Sequence, residues 1–134
     1  LAANTGTTLH LIKPLGFNLN DNSLKRAGLD YKKYADFFIY DDLDLCLESI
    51  TYNEIYAFTK FAKKSFNKVS FKKNDCLLFG SETGGLPDVI IKNIKNTNKL
   101  RIPMVAKSRS LNLSNSVAIA IYEGLRQNEF KDLV

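Results

Sequence analysis

Short apolar runs recur along the chain, each closed by proline, glycine or a polar cluster. Residues 7–12 alternate into a buried strand that Pro14 stops. Phe37-Phe-Ile-Tyr40, Glu54-Ile-Tyr-Ala-Phe58 and Leu100-Arg-Ile102 read as further strands, and Val69-Ser-Phe71 as a short one. Asp75-Cys-Leu-Leu-Phe79, apolar throughout its middle, predicts the centre of a parallel sheet. Helix signals fall between these runs. Asn4-Thr-Gly6 closes a helix whose start is missing, which predicts further sequence upstream. Asp21 or Ser23 caps a short basic helix ending at Gly28, and 31–35 predicts another turn. Asp41 and Asp42 open a helix over 43–49, their charges favouring its first turn. The Lys63 and Lys64 region reads as a loop or short helix, Pro87 starts a helix over 88–93, and 115–127 forms the last one. Alternating strands and helices predict an α/β fold, a mostly parallel sheet sandwiched by helices, in one domain over 1–134.

The last third departs from this regular pattern. Val117-Ala-Ile-Ala-Ile121 is apolar almost all round, as in a helix buried inside a protein or at a subunit interface. Six Ser and Asn residues crowd into 108–116 just ahead of it. Capping by Ser114 or Asn115 explains one or two of them. Each of the others still needs a partner, which predicts a ligand loop.

Composition narrows the classes. With 134 residues, 45% apolar and 25% charged, the chain can bury a core as one globular domain. No apolar run approaches the length that spans a bilayer. Cys46 and Cys76 lack metal-type spacing and His10 stands alone between leucines, so no zinc site or Ser-His-Asp arrangement is supported. Buried, reduced cysteines in a cytoplasmic protein are the expectation. A net charge of +5 favours a polyanionic partner. Most lysine pairs read as solvated surface, whereas Arg109 lies inside the Ser/Asn loop.

Ligands of parallel sheets gather at the carboxyl ends of strands. Three such ends draw attention: Ala57-Phe58-Thr59, the turn Gly80-Ser-Glu-Thr-Gly-Gly-Leu-Pro87, and 102–112. The glycine turn allows close approach to backbone but lacks both GxGxxG spacing and a phosphate-reaching lysine. It is therefore either an ordinary strand-to-helix turn or a seat for an adenosine-type ligand without phosphates, flanked by apolar Ile102 and Met104. Glu82 is either a surface acid near the next helix or part of a polar network with the Ser/Asn loop. Tyr122 and Glu123 divide likewise between packing and function.

Together, Gly80–Pro87, Arg101-Ile-Pro-Met-Val105, Ser108-Arg-Ser-Leu-Asn-Leu-Ser-Asn115 and Tyr122-Glu123 closely resemble the SPOUT superfamily of knotted methyltransferases. Within it they resemble the small TrmH-like tRNA 2′-O-methyltransferases of the TrmL type, which act at the wobble nucleotide. Ala3-Asn-Thr-Gly6, His10-Leu-Ile, Pro14-Leu-Gly-Phe17 and Leu24-Lys-Arg-Ala-Gly-Leu-Asp-Tyr31 are similar to that subgroup too, so the resemblance covers essentially the whole chain. It implies a C-terminal trefoil knot and S-adenosyl-L-methionine bent among the three loops. Cofactor contacts carry over to Phe58, Gly80, Ile102 and Ser110, with Met104 and Leu111 close by. Asn112 and Glu82 match positions that shape the catalytic pocket, and Tyr122 joins them as a catalytic candidate in a dimer-built site. Arg101, Lys107 and Arg109 are the implied RNA-binding residues, the partner being the anticodon stem-loop of tRNA rather than DNA or a membrane. The resemblance further implies a homodimer through the last helix and a reaction at the position-34 ribose. Family members carry an arginine on their first helix that helps activate the ribose hydroxyl, and Leu1 stands just past its place. Two rivals share the fold: an enzyme acting on ribosomal RNA, and a non-catalytic RNA-binding knotted dimer.

Overall fold

The computed structural model describes residues 1–16, 37–131 and 133–134, arranged as two compact units, Leu1–Thr51 and Tyr52–Val134. The helices expected over 21–28 and 31–35 lie outside the described residues.

In the first unit, helix α1 (Ala2–Thr5) ends at Gly6, whose φ of 62° is the left-handed conformation that glycine adopts at least cost. Strand β1 (Leu9–Ile12) pairs in parallel with β2 (Phe37–Tyr40), Leu9 opposite Phe37 and Ile12 opposite Tyr40. This strand is less buried than its alternation suggests, because Leu9 stays exposed. The His10 ring stacks on Phe38, centroids 5.7 Å apart, and burial pulls its pKa below the ordinary histidine value. It is a packed strand residue rather than a base. Helix α2 (Leu43–Ser49) starts as its acids predict: Asp42 caps it, accepting from the Leu45 N–H at 2.9 Å. Cys46 is buried on that helix, and burial pushes its thiol pKa up.

The second unit holds a four-stranded, all-parallel sheet of β3 (Ile55–Phe58), β4 (Lys64–Ser65), β5 (Cys76–Phe79) and β6 (Lys99–Arg101), in the spatial order β4-β6-β3-β5. The inner strands carry the core: Tyr56, Phe58 and Leu100 cluster with Phe71 and with Ala120 of helix α4 (Leu113–Gln127). Helix α3 (Asp88–Asn93) follows the glycine turn, with Pro87 one position ahead of its first residue.

Several elements depart from the sequence expectation. Among the described residues β5 pairs with β3 alone and so ends this sheet rather than centring it; a continuous apolar run reports cover on both faces but not which strand lies beside it. The Lys63 and Lys64 region forms the short strand β4, followed by a 3₁₀ turn over Phe66–Lys68. Residues 69–71 join no strand among the described residues. The side-chain amide of Gln127 accepts from the Phe71 N–H at 2.8 Å and donates to the Val69 carbonyl at 3.0 Å, taking the place of a neighbouring strand. The last helix begins at Leu113, earlier than expected, because Asn112 rather than Ser114 or Asn115 is its cap.

Candidate functional site

Parallel register brings three chain segments out of the sheet at one edge. Phe58 lies opposite Phe79 of β5 on one side and Leu100 of β6 on the other, and the Thr59 N–H donates to the Leu100 carbonyl at 2.9 Å. Thr59, Gly80 and Ile102 therefore start their loops side by side. The rings of Phe58 and Phe79 stack with centroids 4.6 Å apart, and Phe58 is buried. Its aromatic face belongs to the core, so only its backbone can face a ligand.

The glycine turn doubles back on itself. Ser81 and Gly85 pair as an antiparallel bridge, N–H to carbonyl at 3.2 and 2.9 Å, and Ser81 Oγ accepts from the Gly84 N–H at 3.1 Å. A Cβ on Gly80 would lie 1.9 Å from the Gly85 carbonyl carbon and 2.1 Å from the Leu86 nitrogen. Those neighbours are backbone and cannot swing away, so glycine is required there. Gly85 is required for another reason, its φ of 67°.

Beyond β6, Ile102 packs half-buried against the core cluster and Met104 is half-buried beside it in sequence. The chain then turns at Val105–Ser108, where the Ser108 hydroxyl donates to the Val105 carbonyl at 2.7 Å and Lys107 takes a φ of 66°. Arg109, Ser110 and Leu111 follow in an exposed stretch. Asn112 ends the loop with every side-chain group engaged. Its Oδ1 accepts from the N–H groups of Ser114 and Asn115 at 2.9 and 3.4 Å, and its Nδ2 donates to Glu82 Oε1 at 3.3 Å. The last bond joins the glycine turn to the Ser/Asn loop. Glu82 is an exposed acid that also accepts this one hydrogen bond from the Ser/Asn loop.

Not every predicted residue gathers here. Tyr122 sits half-exposed on α4, ten positions beyond the cap, with no hydrogen bond to Glu82 or Asn112 among the described residues. Arg101, Lys107 and Arg109 form no ion pair among the described residues. Glu123 is engaged elsewhere: Arg126 and Gln127 both donate to it, and those hydrogen bonds hold its carboxyl below the usual carboxylate range. Sequence reasoning named Asn112 but missed its capping role, although an Asn directly before an apolar helix is a cap signal.

The sequence pattern of the SpoU rRNA Methylase family matches residues 1–122. The chain belongs to that family. A tRNA (cytidine(34)-2′-O)-methyltransferase from Methylovorus glucosotrophus is 42% identical over 134 residues, 100% of this chain and 87% of that protein. A solved structure concerned with the 2-OH methylation of C/U34 on tRNA is 40% identical, with a TM-score of 0.86 over 97% of this chain and 84% of that one. The SpoU methyltransferase AviRb from Streptomyces viridochromogenes, in complex with the cofactor AdoMet, shares the fold. Its TM-score is 0.80 at 17% identity, over 96% of this chain and 50% of that one.

Proposed function

We propose that this SpoU-family chain is a tRNA 2′-O-methyltransferase that uses S-adenosyl-L-methionine to methylate the ribose of nucleotide 34, the wobble position. The observation that carries this reading is the convergence at one sheet edge of the Gly80 turn, the Ile102 segment and the Ser/Asn loop, with Asn112 bonded to Glu82. Relatives named for that reaction are 42% and 44% identical to the chain over the aligned residues.

The donor set suits the cofactor. Backbone groups beside Phe58 and Gly80 offer donors and acceptors to an adenine, Ile102, Met104 and Leu111 offer apolar flanks, and Ser110 offers a hydroxyl. No lysine lies between Gly80 and Pro87, as fits a ligand without phosphates. When bound, the cofactor supplies a methyl carbon activated by its sulfonium. The residues present must then position a ribose hydroxyl in line with that carbon and help it lose its proton, since an unactivated hydroxyl is a poor nucleophile. Glu82 and Asn112 hold the two loops at the working distance, and Tyr122 contributes from the last helix. Arg101, Lys107 and Arg109 grip phosphates of the anticodon stem, which makes binding salt-dependent.

The same proposal includes a knotted, dimeric, cytoplasmic protein. β6 lies between β3 and β4, although residues 59–63 alone join those two strands, so a late strand runs beneath an early, short connection. On α4, Ala120 is fully buried while Ile119 and Tyr122 are exposed, leaving an apolar strip for a second copy. No helix among the described residues is long and apolar enough to cross a membrane. The family match spans both compact units, in keeping with one methyltransferase domain.

Methyl transfer from labelled cofactor to total tRNA, followed by nucleoside mapping, tests the reading. Label at the ribose of nucleotide 34 is expected. Label confined to ribosomal RNA, or none at all, overturns it.

A further inference from the structure

The turn leaving β3 carries a side chain that neither the core nor the cofactor loops use. Phe61 is 81% exposed, second only to Val105 among the described large apolar side chains short of the terminal valine. Its exposure is built rather than loose. Thr59 fixes the turn three ways: its N–H donates to Leu100, its carbonyl accepts from the Ala62 N–H at 3.2 Å, and its Oγ1 accepts from the Phe61 N–H at 3.4 Å. Ala62 is buried and anchors the far side of the turn. With Thr59 and Ala62 held, Phe61 stands exposed on the turn that leaves β3 at the sheet edge.

Its surroundings are basic. Lys60 Nζ lies 5.2 Å from the centre of the Phe61 ring, over one face, and exposed Lys63 follows two residues later. A lone exposed ring is ordinary on a protein surface; what sets this one apart is the lysines beside it. Against a protein partner, such a ring would be expected within a wider apolar patch. Here its flanks are lysines, which suit a polyanion instead. An aromatic ring flanked by lysines is the arrangement by which proteins hold single-stranded nucleic acid: a base stacks on the ring and the ammonium groups take the phosphates.

We infer that Phe61 is a stacking platform for an unpaired base of the RNA substrate, next to the nucleotide being methylated. Lys60 covers one ring face and leaves the other to the base, and Lys63 neutralises the adjoining phosphate. The inference rests on the RNA-methylating function proposed above, and it assigns a positioning residue to that site: Phe61 fixes the register of the substrate loop without touching the reacting atoms.

The chain contains no tryptophan, so Phe61→Trp places a single reporter at this position. Using the full chain, fluorescence of Phe61→Trp should be quenched on addition of an anticodon stem-loop RNA, because a base stacked on the indole quenches it. Affinity for that RNA should fall about tenfold in Phe61→Ala and Phe61→Leu and stay near wild type in Phe61→Tyr. Binding of S-adenosyl-L-methionine, measured by calorimetry, should be the same in all four variants. Equal RNA affinity across the set, or Leu matching Tyr, overturns the platform while leaving tRNA methylation standing. Quenching that follows protein concentration without RNA overturns it in favour of a second copy covering the ring. If the unaltered chain neither binds nor methylates tRNA, the functional reading falls and takes this inference with it.

Discussion

At the amino end of the four-stranded sheet, polar side chains tie one loop to another; at the carboxyl end they close their own loops. Before β3, β5 and β6, Asn53 donates to the Lys73 carbonyl at 2.6 Å, and Asn98 donates to Glu54 at 2.7 Å and to the Ile55 carbonyl at 3.1 Å. Lys95 lies 3.7 Å from Glu54, while Asp75 closes its own turn by accepting from the Lys72 N–H at 2.7 Å. After the same strands, the side-chain bonds of Thr59, Ser81 and Ser108 stay within two or three residues. One 3.3 Å bond, from Asn112 to Glu82, crosses between loops. The amino end is finished as a structure. The carboxyl end is three loops that each close on themselves, at the strand ends where parallel sheets gather their ligands.

Substitutions at the two ends should therefore separate stability from binding. The largest effect is expected from Gly80→Ala. Its methyl group meets backbone at 1.9 Å, so the turn must open at a cost of about 3 kcal/mol, seen as a lower urea midpoint, with cofactor binding lost as well. Asn98→Ala should cost about 2 kcal/mol, because one of its partners is a carboxylate, while leaving cofactor affinity unchanged. A change in that affinity would erase the distinction between the ends. Asn112→Ala should cost only about 1 kcal/mol as a lost cap. By freeing Glu82 from the Ser/Asn loop, however, it should slow methyl transfer by roughly 10²-fold in single-turnover assays. The smallest effect concerns Glu123. Hydrogen bonds from Arg126 and Gln127 lower its pKa in the folded state, so its contribution is present at neutral pH and disappears as pH falls below the usual carboxylate range. Glu123→Gln should flatten that acid limb of the stability profile, and an unaltered limb would assign it to other carboxylates.

Much of this contrast was legible beforehand. The three special strand ends were visible as apolar runs exiting into glycine or hydroxyl-rich loops, and the helix caps at Gly6 and Asp42 follow from local chemistry alone. What stayed hidden was pairing. Nothing local in Asp75–Phe79 tells an edge strand from a central one, and nothing in Lys63-Lys64 announces that Leu100 will sit beside Lys64. Phe61 was passed over because a single aromatic within a lysine-rich loop is ambiguous until the turn around it is known. Phe58 was read as a cofactor contact from its place in the motif. Its ring is buried against Phe79, which confines that role to the backbone.

The bond between Gln127 and residues 69–71 has a consequence for how the chain is made. The two groups are 56 to 58 positions apart, and Asn128 adds a third tie, from its Nδ2 to the Phe71 carbonyl. During synthesis the 69–71 segment emerges long before the side chains that complete it, and must wait, extended and half-satisfied, until the last helix leaves the ribosome. Contacts of such long sequence separation slow folding. A nascent chain halted before Gln127 should therefore remain open to proteolysis at 69–71, whereas one released a few residues later should resist it.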